Sequence, residues 1–279
     1  MTYSNLLEVV IPAYNCEIHI KETIDSIFKQ KTNFDFTVHI SDDCSTDTTF
    51  EICSLYQRIY KNIRITKQTK NLGMTKNQHF VITSANSKYI AYLDSDDIFI
   101  TDNYLQNQVD FLENNQSVSC VFSNFEEYYQ KDNEVNIMFK EKNKPPVTFN
   151  LHYYFQNSIP ICNSSMIFRK KFNSEISPIF VDYFQYDWLL HIHHALNGNL
   201  GFNDFIGTRY RIHDNNATNI KYAEKKFKDA IKLIYSIKTI IPVEYHNYFK
   251  HPRHEMNSLA FYYLWNRKFL NFYIGILSG

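Results

Sequence analysis

Within the first hundred residues, short β-branched runs alternate with segments of helical periodicity, and this alternation restricts the fold more than any other feature. Leu6 to Ile11 is an apolar run ended by Pro12, which reads as a buried strand entering a loop. Ile20, Ile24, Ile27 and Phe28 recur at helical spacing between Glu17 and Gln30. Phe36 to Ile40 gives a second strand, Thr46 to Tyr60 a helix and Ile63 to Thr66 a third strand. After Asn71-Leu72-Gly73 come a helix around Lys76 to Ala85 and a strand from Tyr89 to Leu93. Strand–helix alternation at this spacing predicts an α/β fold with βαβ units and a mostly parallel sheet.

Three of the strands run into polar clusters: Tyr14-Asn15, Asp42-Asp43 and Asp94-Ser95-Asp96-Asp97. Ligands of open parallel sheets bind in the crevice beyond the carboxyl ends of the strands, so the clusters are expected to converge on one rim. Asp94, Asp96 and Asp97 carry the right chemistry for Mg²⁺ or Mn²⁺, which takes one or two carboxylates plus phosphate oxygens. Such a string also occurs as a solvated acidic turn. Asp42-Asp43-x-Ser45 could cap a helix, or offer a carboxylate to a base N–H. Tyr14 could stack on a base and Glu17 contact the nucleoside, although Asn15 also fits an ordinary turn.

Beyond these come a helix from Asn103 to Asn114, a strand from Val118 to Phe125 and an exposed, mobile connection over 130–150, charged and carrying Pro145-Pro146. Ile161 to Phe168 reads as a strand, Tyr183 to Asn197 as a helix and Asn199 to Ile212 as mixed. From Tyr222 the periodicity of Phe227, Ile231, Ile234, Ile237 and Ile241 is helical.

With 279 residues, 44% of them hydrophobic, the chain can bury a sizeable core. Equal numbers of basic and acidic residues (29 each) remove the positive field that gathers nucleic acid, so no nucleic-acid partner is expected. Five scattered cysteines without a CxxC pair read as free thiols in a reducing compartment. No signal peptide and no membrane-spanning run is recognised, and a cytoplasmic location is expected.

Taken together and in order, the motifs resemble glycosyltransferase family 2 with its GT-A fold. The residues that carry the resemblance are Val9-Val10-Ile11-Pro12-Ala13-Tyr14-Asn15, then His39-Ile40-Ser41-Asp42-Asp43-Cys44-Ser45-Thr46-Asp47. Asn71-Leu72-Gly73 with Lys76-Asn77, and Tyr92-Leu93-Asp94-Ser95-Asp96-Asp97, complete them. The match is good over 6–125 and looser over about 170–216. The resemblance implies an inverting, metal-dependent glycosyltransferase using a nucleotide sugar, UDP-linked as first choice. Pro12, Ala13, Tyr14 and Glu17 would line the nucleoside pocket and Asp43 would bind the base. Lys76 would face the nucleotide, Asp94 and Asp96 would form the DxD pair binding ribose and metal–diphosphate with Asp97 assisting, and Ser95 between them would bind the nucleotide sugar. Three departures bear on the donor: Cys44 replaces a common Gly, Lys76 a common Arg, and His79 a frequent Gly.

Asp187, in Tyr186-Asp187-Trp188-Leu189-Leu190, matches the family's catalytic acid at the start of an apolar helix, with Asp182 as its rival. Placement alone would also fit a first-turn acid favoured by the helix dipole. His191 and His194, one turn apart beside His193, read as satisfied helix-surface residues rather than zinc ligands. In Arg209-Tyr210-Arg211-Ile212-His213, Arg211 or His213 could clamp phosphate, and His213 could join the metal.

The expected layout is a GT-A domain over 1–220, with a nucleotide-sugar half (1–125) and an acceptor half (126–220), and a helical extension over 221–279. The aromatic and basic stretch Phe261 to Leu270 could touch a membrane or a second subunit, which would suit a lipid-linked saccharide acceptor in bacterial surface polysaccharide synthesis. A sugar-phosphate nucleotidyltransferase is the alternative enzyme, but Pro12-Ala13-Tyr14-Asn15 stands where it would carry a Gly-rich basic loop. A non-catalytic binding module of the same fold is the other alternative.

Overall fold

The computed structural model describes residues 5–170, 176–183, 186–214, 216, 229, 232–233, 237–239 and 241–249. The expected alternation is there. β1 (Asn5–Ala13), β2 (Phe36–Asp42), β3 (Ile63–Lys67) and β4 (Ser87–Tyr92) are joined through α1 (Ile20–Phe28), α2 (Thr49–Ile59) and α3 (Met74–Thr83). β5 (Ile98–Phe99), α4 (Tyr104–Asn114) and β6 (Val118–Tyr129) follow. The second half contains β7 (Glu134–Ile137), β8 (Thr148–Phe149), α5 (Leu151–Asn157), β9 (Met166–Arg169), α6 (Tyr186–Asn197) and β10 (Asn199–Ile212).

The ten strands among the described residues form one sheet, ordered β3-β2-β1-β4-β9-β6-β10-β5, with β7 on β6 and β8 on β10. β1 pairs in parallel with both β2 and β4, and β2 with β3. β9 is antiparallel to β4 and to β6, so β6 keeps the direction of β4, and β10 is parallel to β6. β1 is central: Val9, Val10 and Ile11 are fully buried, as a strand covered on both faces requires. One hydrophobic cluster gathers Ile20, Ile24 and Ile27 of α1 with Leu105 and Leu112 of α4. The other gathers Phe122, Phe168, Leu189 and Leu190 around α6. Leu233, Ile237 and Ile241 of the expected extension join this second cluster, whereas residues 250–279, with the expected membrane or subunit contact, lie outside the described residues.

Three expectations need correction. The 130–150 segment is not simply an exposed connection. β7 and β8 add to the sheet, and Phe139 and Phe149 are buried against Phe122; two aromatics outweigh the surrounding charges once there is a sheet to cover. Asn199 to Ile212 is one 14-residue strand, its pattern blurred by register shifts around Ile206. The expected strand Ile161 to Phe168 starts only at Met166, after a short 3₁₀ turn over Asn163–Ser165.

Candidate active site

From β1 the chain steps outward to β2 and β3, then returns to place β4 on the other side of β1. This reversal opens a crevice at the carboxyl ends of β1 and β4. The loop after β1 and the loop before α2 are locked together. Asn15 accepts a hydrogen bond from the Thr46 amide (2.8 Å), and its own amide donates to the Ser45 hydroxyl (3.0 Å). Asn15 and Cys44 both adopt positive φ, 46° and 60°. Cys44 therefore occupies a left-handed conformation that glycine adopts with less strain.

At the end of β1 Pro12 is half-buried and Ala13 buried, and Tyr14 stands 47% exposed beside them. Glu17 is placed differently from expectation. Its carboxylate accepts from the Thr48 amide (3.0 Å) and hydroxyl (2.6 Å) and so caps α2, because the free amides of a first helical turn attract a carboxylate. Asp43 is nearly buried and accepts from the amides of Leu72 (2.7 Å) and Gly73 (2.9 Å), which ties the 71–73 turn to the end of β2. A base N–H would be a further bond to that carboxylate. Lys76 is exposed on α3.

Asp94, Ser95 and Asp96 are half-buried just beyond β4. The Tyr92 hydroxyl donates to Asp94 (2.6 Å) and itself accepts from Gln78 (2.8 Å). Burial raises Asp94 to about 8, helped by the negative charges of Asp96 and then Asp187. Asp96 lies 3.0 Å from His213 Nε2 and accepts from Asn216 (3.2 Å). Asp97 turns inward, fully buried. It accepts from the Ser164 hydroxyl and the Arg211 amide, and burial, then Asp96 and Asp94, push its carboxyl well above the usual range. It therefore joins the scaffold under the rim rather than a metal shell.

Arg211, expected as a phosphate clamp, is engaged by groups of the protein itself. Its guanidinium donates to Glu22 (2.8 Å) and to His19 Nδ1 (3.0 Å), and the His19 ring packs on His213 at 4.8 Å. Arg211 thus ties β10 to α1 from behind the acids, and its charge is already met by Glu22.

The second half brings Asp187, exposed in the first turn of α6, to the same rim. The Asn163 amide donates to it (2.6 Å), and Asp187 is one of the charges that raise Asp94. Asp182 lies exposed at the end of a 3₁₀ turn, Pro178–Asp182. His191, His193 and His194 are buried, not on the helix surface as expected. His191 faces Tyr154 and Asn163, and His194 packs on Phe168. Burial holds His191 neutral, down to about 3. No group of three or more metal-binding side chains occurs among the described residues.

Asn163, Ser164, His19 and Glu22 are the site residues that the motifs did not point to. Cys162-Asn163-Ser164-Ser165 was a signal: four small or polar residues in a row do not suit a buried strand.

The model of the family described as Glycosyl transferase family 2 matches residues 8–177, more than half of the chain. The dTDP-rhamnosyl transferase RfbG of Shigella flexneri is 31% identical over 225 residues, covering 76% of this chain and 75% of its own. The Escherichia coli UDP-Glc:alpha-D-GlcNAc-diphosphoundecaprenol beta-1,3-glucosyltransferase WfaP is 28% identical over 84% of this chain and 86% of its own. Against an uncharacterised Mycobacterium tuberculosis protein, 26% identical over 79% of this chain, the match spans 62% of the relative's length. Among solved structures, S. aureus TarS 1–349 in complex with UDP-GlcNAc superposes with a TM-score of 0.63 at 19% identity, over 95% of this chain and 72% of that one. The mannosyltransferase PcManGT from Pyrobaculum calidifontis, in complex with GDP-Man and Mn²⁺, gives 0.64 at 13% identity, over 92% and 70%. These likenesses bear out the GT-A fold, and the family match makes the chain a member of glycosyltransferase family 2.

Proposed function

We propose that the protein transfers a sugar from a nucleotide-sugar donor to a hydroxyl of a saccharide or lipid-linked saccharide, inverting the anomeric centre, in the cytoplasmic assembly of a cell-surface polysaccharide. One observation carries this reading. Acids from both halves of the chain meet at one rim: Asn163 donates to Asp187 (2.6 Å), and its neighbour Ser164 accepts from the Asp94 amide (3.1 Å), with Asp96 two residues on. The names of RfbG and WfaP support a sugar nucleotide as donor, and WfaP's supports a lipid-linked acceptor. A UDP sugar is our first choice.

Asp94 and Asp96 fit a divalent ion. They are hard oxygen donors; burial first, and then the Asp96 and Asp187 charges, raise Asp94, and a cation would offset both the burial and the repulsion. Mg²⁺ or Mn²⁺ held there would neutralise charge on the departing diphosphate. Tyr92 and His213 orient the two carboxylates, while Tyr14 and Pro12 offer a surface to the nucleoside. Asp187 takes the proton from the acceptor hydroxyl as that oxygen bonds to the anomeric carbon and the nucleoside diphosphate leaves with its bonding pair. A single displacement of this kind inverts the centre.

The test is nucleotide release from UDP-glucose, UDP-GlcNAc, dTDP-rhamnose and GDP-mannose, with and without Mn²⁺, in wild type, Asp96→Ala and Asp187→Asn. Asp187→Asn is expected to lose about 10²- to 10⁴-fold in kcat with donor binding kept. Asp96→Ala is expected to lose the response to Mn²⁺. Wild-type activity in Asp187→Asn, or an undiminished Mn²⁺ response in Asp96→Ala, would remove the corresponding role.

A further inference from the structure

Behind Asp187 lies a chain of three buried polar groups that neither the motifs nor the reaction requires. The Asn163 amide nitrogen donates to Asp187 Oδ1 at 2.6 Å. The Asn163 oxygen lies 2.9 Å from His191 Nε2, and His191 Nδ1 lies 3.1 Å from the Tyr154 hydroxyl. Asn163, His191 and Tyr154 are 6%, 4% and 4% exposed, whereas Asp187 stands at the surface.

The donor–acceptor inventory leaves one polarity. An ionised carboxylate only accepts, so Asn163 must turn its NH₂ to Asp187 and its oxygen to His191. His191 must then carry its proton on Nε2, which leaves Nδ1 to accept from Tyr154. Every group has one role, set by the charge at the rim. Burying three polar groups costs more than burying apolar ones of the same shape unless each is satisfied. Here the satisfied series ends on a single charged atom.

We propose that Asn163 and His191 are positioning residues for the base: the Tyr154–His191–Asn163 relay holds the Asp187 carboxylate in one orientation and favours its ionised form. The inference rests on the reading of Asp187 as base. A neutral imidazole suits the role, because it passes on a dipole without placing a competing cation beside the carboxylate. The relay comes from three separate elements, α5, the 163–165 turn and α6, so it also fixes the α6 N-terminus against the acid rim.

The experiment is the pH dependence of kcat with whichever of the four donors the wild type turns over, in Asn163→Ala, Asn163→Asp, His191→Leu and His191→Gln. Losing the donated hydrogen bond should lower kcat by about 10- to 100-fold with little change in KM. It should also move the acid limb of the profile to higher pH, since the ionised form loses support; Asn163→Asp, which adds a like charge, should move it furthest. Gln places an N–H where Nε2–H stood, so His191→Gln should keep most of the rate that His191→Leu loses. An acid limb unmoved in both Asn163 variants, or equal losses in the two His191 variants, would overturn the inference. If Asp187→Asn kept full activity, the base reading would fail and take this inference with it. If Asp187→Asn were inactive while Asn163→Asp left the limb in place, only the relay would fail. Should the variants not fold, ¹⁵N spectra of the histidine-labelled wild type still decide: the Nε2–H tautomer is expected at His191, and Nδ1–H would overturn the relay.

Discussion

Acid should destabilise this protein through particular histidines, and His39 gives the clearest magnitude. It is fully buried on β2, with Nδ1 2.9 Å from an Arg64 nitrogen and Nε2 2.9 Å from the Thr66 hydroxyl. A guanidinium only donates, so Nδ1 must stay a lone pair. Burial first, and then the Arg64 charge, lower His39 from 6.5 to about 3. Because the folded value is depressed, the contribution to stability is complete above the unfolded value of 6.5. It is lost as pH falls from there towards 3, while only the unfolded chain takes up the proton. At about 1.4 kcal/mol per pH unit, pH 5 costs about 2 kcal/mol at this one residue. His191, lowered to about 3 by burial, should cost about as much again. The sum is a large share of the ~5–15 kcal/mol that holds a domain folded. The assay is urea unfolding at pH 7.5 and pH 5 for wild type, His39→Gln and His191→Gln. Each variant should lose about 2 kcal/mol less than wild type between the two pH values. Asp94, raised to about 8, works in the opposite direction, but it titrates alike in all three proteins and drops out of the difference. Equal losses in wild type and both variants would refute the reasoning.

Gly207→Ala should destabilise by about 1–3 kcal/mol in the same unfolding assay, since a Cβ there would meet the Ser123 hydroxyl at 2.5 Å and the Tyr104 ring at 2.6 Å. Cys44→Gly should stabilise by about 1 kcal/mol, because it relieves a left-handed residue at φ 60° without removing a hydrogen bond; a loss of stability would show that the thiol packs usefully. Glu17→Gln should lower the melting temperature by a few degrees while leaving nucleotide affinity, read by calorimetry with UDP, within about threefold, since the carboxylate caps α2. A larger loss of UDP affinity would return Glu17 to the nucleoside pocket.

The first 125 residues were legible because local signals and the fold agree there. The apolar runs Val9-Val10-Ile11 and Tyr89-Ile90-Ala91 are buried on both faces, and length and hydrophobicity alone mark such strands. The ends of those strands located the acids too. What could not be read was which way each acid turns. Asp94, Asp96 and Asp97 lie within four residues, yet Asp97 faces the core because Ser164 and the Arg211 amide, 67 and 114 residues away, are there to receive it. The partners of Glu17 and Arg211 were hidden for the same reason: each lies on an element distant in sequence. In the 130–150 segment, charge and proline masked two aromatics whose burial depends on a sheet surface that residues 118–129 and 199–212 must first build.

The three-residue turn Asn163–Ser165 accounts for how the rim holds together. Asp94, Asp96, Asp97 and Asp187 crowd four carboxyl groups together, two of them pushed towards their protonated form, and the Arg211 guanidinium is already met by Glu22. Ser164 reaches two of these acids at once: its hydroxyl accepts the Asp94 amide at 3.1 Å and donates to Asp97. Its neighbour Asn163 holds a third, Asp187. A strand continuing through 163–165 would send alternate side chains to opposite faces, so adjacent residues could not both serve acids at one rim. The turn removes that restriction, and β9 then resumes antiparallel to β4, which anchors the turn to the strand that carries Asp94. The acids beyond β4 and the acid of α6 are therefore linked by two neighbouring side chains of one turn. For a displacement that needs base, hydroxyl and leaving group in line, that is the link the chemistry demands.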